Sequence, residues 1–126
     1  MRRLTVQAIV NRVYPLIKEK YGISRFKKSY PKVRLHENIY SRLSGVPGLR
    51  GEDSAHAEYD RESNTIWIYY PEMNSEEDVI KTLLHEYKHY LQSPTWMKRY
   101  YSMGYQYDNH PYEVEAIAEE AYHDIF

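Results

Sequence analysis

In the stretch KTLLHEYKHYLQ (81–92), two histidines stand four residues apart and a glutamate directly follows the first: His85-Glu86-Tyr87-Lys88-His89. Residues four apart on an α-helix are neighbours, so both imidazoles reach one point. That is what a helix needs to offer two nitrogen ligands to a metal ion, and His-Glu-x-x-His on a helix is a known zinc pattern. Glu86 falls about 100° further round than His85, close enough to touch a metal-held water without being a ligand. Six histidines and thirteen glutamates placed at random would give this pattern about three times in a hundred. The competing reading is a solvated helix face carrying two ordinary histidines.

A helix is expected over about 75–92. Ser75-x-x-Asp78 is a capping-box pattern, and Glu76, Glu77 and Asp78 suit the positive end of a helix dipole. Ile80, Leu83, Leu84, Tyr87 and Leu91 form one apolar stripe that must face a core, and the two histidines lie roughly opposite it.

A tetrahedral catalytic zinc takes three protein ligands and leaves its fourth position to water. The chain has no cysteine, so the third ligand must be His, Asp or Glu. DNHPYEVEAIAEEAYHDIF (108–126) follows downstream, with Pro111 suited to a first helical turn. Val114, Ile117, Ala118, Ala121 and Ile125 read there as a second apolar stripe. One flank then carries Glu115, Glu119 and Tyr122, the other Glu113, Glu120 and Asp124. Two carboxylates four apart suit a ligand plus a group that holds a ligand histidine by its other ring nitrogen.

The two motifs together resemble the gluzincin metallopeptidases, whose second helix carries a Glu-x-x-x-Asp pattern, often with Ala after the glutamate. Here that segment reads Glu115-Ala116-Ile117-Ala118-Glu119. The layout, over roughly residues 55–126, is similar to the minigluzincins and the ImmA/IrrE-like metallopeptidases. The resemblance implies an α+β, minimal zincin-like fold: N-terminal helix, small mostly antiparallel sheet of about three strands, active-site helix and C-terminal glutamate helix. It implies one Zn2+ per chain on His85, His89 and Glu115, with Glu86 as catalytic base. Glu119 stands where the family has Asp, in the position that holds His85. The strand before the active-site helix, TIWIYY, takes the place of a sheet edge that pairs with extended substrate.

The expected function is therefore a zinc-dependent endopeptidase acting on peptides or unstructured proteins. The alternative is a metal-binding or degenerate zincin serving as an interaction module, nucleic acid among its partners. A zincin also needs a donor for the tetrahedral oxyanion, usually Tyr or His. Five tyrosines and His110 lie within 96–112, with Tyr122 and His123 beyond, and the sequence does not choose among them.

The 126 residues suit one domain, 1–126, and 42% apolar content is enough for one core. Without cysteine there is no disulfide framework. The basic N-terminus starts like a signal peptide, but Gln7, Asn11 and Arg12 interrupt its apolar residues and no small-residue cleavage site follows. No run approaches the ~20 apolar residues of a membrane span, so an intracellular, cytoplasmic protein with no membrane partner is expected. Residues 1–34 carry ten Lys/Arg against the single acid Glu19, a balance of +9 that leaves −10 on residues 35–126. A scattered basic segment of this kind suits packing beside the acidic half of the same fold better than it suits nucleic acid. Oligomeric state is not legible.

Val6, Ile9, Val10, Val13, Leu16 and Ile17 recur at helical spacing, predicting a helix over 5–21 that Pro15 should kink or split. PKVRLH (31–36) reads as a strand, SGVPGLRGEDS (44–54) as a loop, and AHAEYD with TIWIYY, joined by RESN, as a β-hairpin.

Overall fold

The computed structural model describes residues 1–48 and 55–126. Within them the chain is a small α+β fold of five α-helices and three strands. Helix α1 (Arg3–Tyr21) buries Val6, Ile9, Val10, Val13 and Ile17, the stripe expected from their spacing, while Leu16 stays exposed. It runs through Pro15 without splitting. Pro15 and Asn11, four residues before it, both lie on the exposed side, so the carbonyl that loses its helical donor can bond water instead. A short helix, α2 (Ile39–Ser44), stands where no element was anticipated. The Asn38 side chain accepts the Ser41 N–H at its start, and Gly45 ends it at φ 73°, a left-handed conformation that suits glycine. The end of the expected 44–54 loop, residues 49–54, lies outside the described residues.

Strands β1 (Lys32–His36), β2 (Ala57–Asp60) and β3 (Thr65–Tyr69) form one sheet in the order β1-β3-β2. β2 and β3 are antiparallel, as their short connection requires, but β1 runs parallel to β3. The sheet is thus mixed rather than mostly antiparallel. Only the hairpin turn constrains direction, and the long path from β1 through α2 leaves room for a parallel crossover.

This order corrects the expected substrate edge. TIWIYY is the central strand, bonded on both sides, with Ile66 and Ile68 fully buried. A β-branched and aromatic run is what a central strand needs, which is why the pattern could not mark an edge. The edge toward the histidines is β2. Tyr69 N–H donates to the His56 carbonyl, so with the period of two His56, Glu58 and Asp60 face β3, and the main-chain groups of Ala57 and Tyr59 point outward.

Helix α3 (Glu76–Leu91) packs on α1 and the sheet through Val79, Ile80, Leu83, Leu84, Tyr87 and Tyr90. Ser75 caps it by accepting the Asp78 N–H. Helix α4 (Pro94–Ser102) falls within what read as an aromatic loop and buries no residue fully. Helix α5 (Pro111–Glu119), with Pro111 in its first turn, continues into a 3-10 turn, Glu120–Ile125, and both lie against α3. No helix among the described residues is long and apolar enough to cross a membrane.

Candidate metal centre

α3 turns its apolar side into the core and presents His85 and His89 on the side that α5 crosses. Their ring centroids are 5.0 Å apart. Glu113, in the first turn of α5, lies between them: Oε1 is 3.0 Å from His85 Nε2 and Oε2 is 2.9 Å from His89 Nε2. One ligand atom from each of the three residues falls within 4.8 Å of the others. Each histidine is also gripped at its other nitrogen, His85 Nδ1 by Glu120 Oε2 and His89 Nδ1 by Gln92 Oε1, both at 2.8 Å. Both Nε2 atoms converge on the Glu113 carboxylate, which accepts a hydrogen bond from a protonated ring; with a proton on Nδ1 alone, each Nε2 would instead offer its lone pair to a metal.

This donor set fits zinc. Arms of about 2.0–2.1 Å put the ligands of a tetrahedral zinc roughly 3.3 Å apart, close to the two spacings that Glu113 already holds.

The third carboxylate differs from the sequence expectation of Glu115. Glu115 is exposed, and its Oε2 accepts from Gln92 Nε2 at 3.1 Å. Gln92 Nε2 also donates to the Tyr112 carbonyl at 2.9 Å, so both amide hydrogens are used and Oε1 must face His89. Glu115 therefore acts on the centre through Gln92. Glu119 does not hold His85 either: it lies beside Tyr21, and Glu120 does the holding. The cause is the rotation of α5. Val114, Ile117 and Ile125, read as core-facing, are more than half exposed, whereas Glu113 and Ala116 are buried. α5 covers a polar face of α3, so the side it turns inward carries carboxylates and a small residue that permits close approach. Glu113 and Ala116 of α5 and Glu120 just past its end, spaced i, i+3, i+7, make that face, and this spacing was the available signal. Gln92, a helix-end polar residue, left none.

Glu86 is 7% exposed, and its Oε1 is 3.9 Å from His85 Nε2, beside the centre rather than in it. Burial pushes its carboxyl up, against the opposing pull of His89 and His85. Burial alone would lower His85, but hydrogen bonds to Glu113 and Glu120 outweigh it and hold the ring at about 9. Burial would likewise raise Glu113, yet the hydrogen bonds from the two histidines bring it down to about 2.

Two cavities flank this cluster, with Ala57 of the β2 edge, Glu86, Glu113 and Tyr107 common to both. The one on the His89 side, about 230 Å³, is walled by Tyr59, Arg61, Met97, Tyr101 and Tyr112. The one on the His85 side, about 300 Å³, is walled by His56, Thr82 and Glu120. Among the candidate oxyanion donors, His110 is fully committed: Nε2 bonds the Met97 carbonyl and Nδ1 accepts the Tyr112 N–H, both at 3.0 Å. It braces α4 against α5. Tyr107 is more than half exposed as a residue, while its hydroxyl end lies against Glu113; desolvation there, the charges of Glu113 and Glu86 and a hydrogen bond with Glu113 push it up to about 12.

No family model, curated protein or solved structure matches the chain.

Proposed function

We propose that this chain is a zinc-dependent peptidase of the gluzincin type that hydrolyses extended peptides or unstructured polypeptides. The observation that carries this reading is the convergence of His85, His89 and Glu113 beside the buried carboxylate of Glu86, in a cleft bordered by β2, whose outer side pairs with no strand among the described residues. His85, His89 and Glu113 would hold a zinc ion, which would supply an acidified water and a Lewis acid for the scissile carbonyl. Glu86, whose carboxyl burial has raised, takes a proton from the attacking water and returns it to the leaving amine. Tyr107, protonated at neutral pH, donates its hydroxyl to the developing oxyanion. The outward main-chain groups of Ala57 and Tyr59 pair with an extended substrate and align it along the cleft. A folded protein has its own backbone already paired, which restricts substrates to unstructured chains.

Elemental analysis of protein purified without a metal-affinity tag tests the metal, with about one zinc per chain expected. Hydrolysis of a dye-quenched unfolded protein tests the activity. Glu86→Gln should keep zinc and fold but lose turnover, because an amide cannot accept the proton. Absence of zinc, or undiminished hydrolysis by Glu86→Gln, rejects the proposal.

A further inference from the structure

The cavity on the His89 side holds a cation that the proposed chemistry leaves unused. Arg61, just past the end of β2, is part of its wall. Nη2 donates to the carbonyls of His89 at 2.9 Å and Gln92 at 3.1 Å, which caps the end of α3. The Tyr59 ring covers the guanidinium at 5.4 Å. Nη1 is buried and has no hydrogen-bond partner among the described residues.

Capping accounts for an arginine at this place but not for the whole of its side chain. The helix end uses one terminal nitrogen, and the other is buried with no acceptor among the described residues. Burial is the main influence on the group, and no carboxylate among the described residues relieves it: Glu58, on the same cavity wall, is committed to Arg42, and Glu86 and Glu113 belong to the histidine cluster. A buried charged donor without a partner is among the costlier features a fold can retain, and functional sites are where such features persist. A carboxylate is the ligand that matches a guanidinium with an unpaired N–H group; Nη1 has no open surface, so a carboxylate in the cavity reaches it once the wall around Arg61 opens.

We propose that Arg61 recognises a carboxylate carried by the substrate, and that the cavity beside His89 is the pocket for the residue bearing it. Tyr59, Met97, Tyr101 and Tyr112 pack against the rest of that residue, and the carboxylate meets the Arg61 guanidinium in the wall. The group is either the α-carboxylate of a substrate's last residue or an Asp or Glu side chain. This inference takes the ligand's identity as substrate from the peptidase reading, whereas carboxylate recognition itself needs neither turnover nor metal.

The test compares 3-phenylpropanoate with 3-phenylpropanamide by calorimetry, on zinc-loaded protein and on protein stripped with a chelator. The acid should bind about tenfold or more tighter than the amide in both forms. Arg61→Gln should bring that ratio close to one, and Arg61→Lys should keep part of it. A preference found only with zinc and unchanged in Arg61→Gln assigns the carboxylate to the metal and overturns the proposal. Equal affinity for acid and amide in the unaltered protein overturns it too, even where the Arg61 variants fail to fold. Two peptide pairs, measured for binding to Glu86→Gln, then separate the sources. Preference for a free over an amidated C-terminus names the α-carboxylate and an enzyme that trims chain ends. Preference for internal Glu over Gln names a side chain and an enzyme that cuts within chains. Indifference in both pairs removes Arg61 from substrate recognition. Failure of the unaltered protein to hydrolyse any peptide would sink the catalytic reading while leaving the acid-versus-amide result standing.

Discussion

Zinc binding should release a proton from His85 at neutral pH, and its affinity should therefore climb with pH over a range where ordinary histidines no longer titrate. In the metal-free site Glu113 and Glu120 grip the two nitrogens of His85 at 3.0 and 2.8 Å and hold the ring at about 9, above the ordinary 6.5. A metal must displace the Nε2 proton. At pH 7, two units below that value, the displacement costs about a hundredfold in apparent affinity, or roughly 3 kcal/mol. The logarithm of the association constant should rise by about one per pH unit from 7 towards 9 and then level off. Calorimetry at pH 7.5 in two buffers of different ionisation enthalpy should find about one proton released per zinc. A chelator competition series gives the slope. Glu120→Gln removes one of the two carboxylates and should move the levelling point to lower pH. Proton release near zero at pH 7.5, with affinity already flat, would refute the reasoning, since it requires His85 to be neutral between its two partners.

The same cluster sets the acid and alkaline limits of the metal-free protein. The raised His85 contributes stability below 6.5 that is lost as pH climbs through about 9, and the lowered Glu113 contributes stability above 4.5 that is lost as pH falls through about 2. Melting temperatures of stripped protein should therefore be highest near pH 4.5–6.5 as far as this cluster decides. Glu113→Ala should lose most of the zinc, whereas Glu115→Ala, which only frees Gln92 to turn, should weaken binding by about tenfold, as measured by chelator competition. Proline at Trp67 or at Ile68 should unfold the protein by circular dichroism, because each removes a ladder bond of a central strand. Ala57→Pro removes only an outward N–H and should leave the fold intact while cutting peptide hydrolysis. Ala116→Leu should cost about 1–3 kcal/mol by overpacking the α3–α5 contact, while Val114→Ser should stay within about 0.5 kcal/mol, both read from denaturant midpoints.

Where local chemistry decided the outcome, the sequence was legible. The α1 stripe, the Ser75 cap and the hairpin around residues 61–64 follow from periodicity, capping and turn residues. Sheet order was not legible, since a pattern such as TIWIYY reports burial but not which neighbours supply it. The rotation of α5 was misleading for a related reason. Apolar spacing identifies the core-facing side only when a helix packs on the core, and α5 packs on the polar side of α3. Val114 and Ile117 therefore mark the wrong side as core-facing, while the choice of Glu115 over Glu113 rests on the Ala116 that follows it and the Glu119 on its flank, the pattern of the resemblance. The histidine pair escaped this difficulty because its geometry is internal to one helix. Gln92 and Arg61 acquire their roles only through contacts made across the fold.

The small buried face of α5 has a thermodynamic consequence. Of its residues only Glu113 and Ala116 are buried, and Glu113 is there for the histidines. The segment from Pro111 onward should thus be a unit of low local stability, opening without disturbing the α1–α3–sheet core. An ion bound by Glu113 on one side of that opening and by His85 and His89 on the other would stabilise the closed form by mass action, by about 2.7 kcal/mol at a free concentration a hundred times the dissociation constant. Amide hydrogens of α5 should then exchange fast in stripped protein and slow progressively with added zinc, while those of α3 scarcely respond. Uniform slowing of both helices would mean that the chain closes around its metal as a single cooperative body.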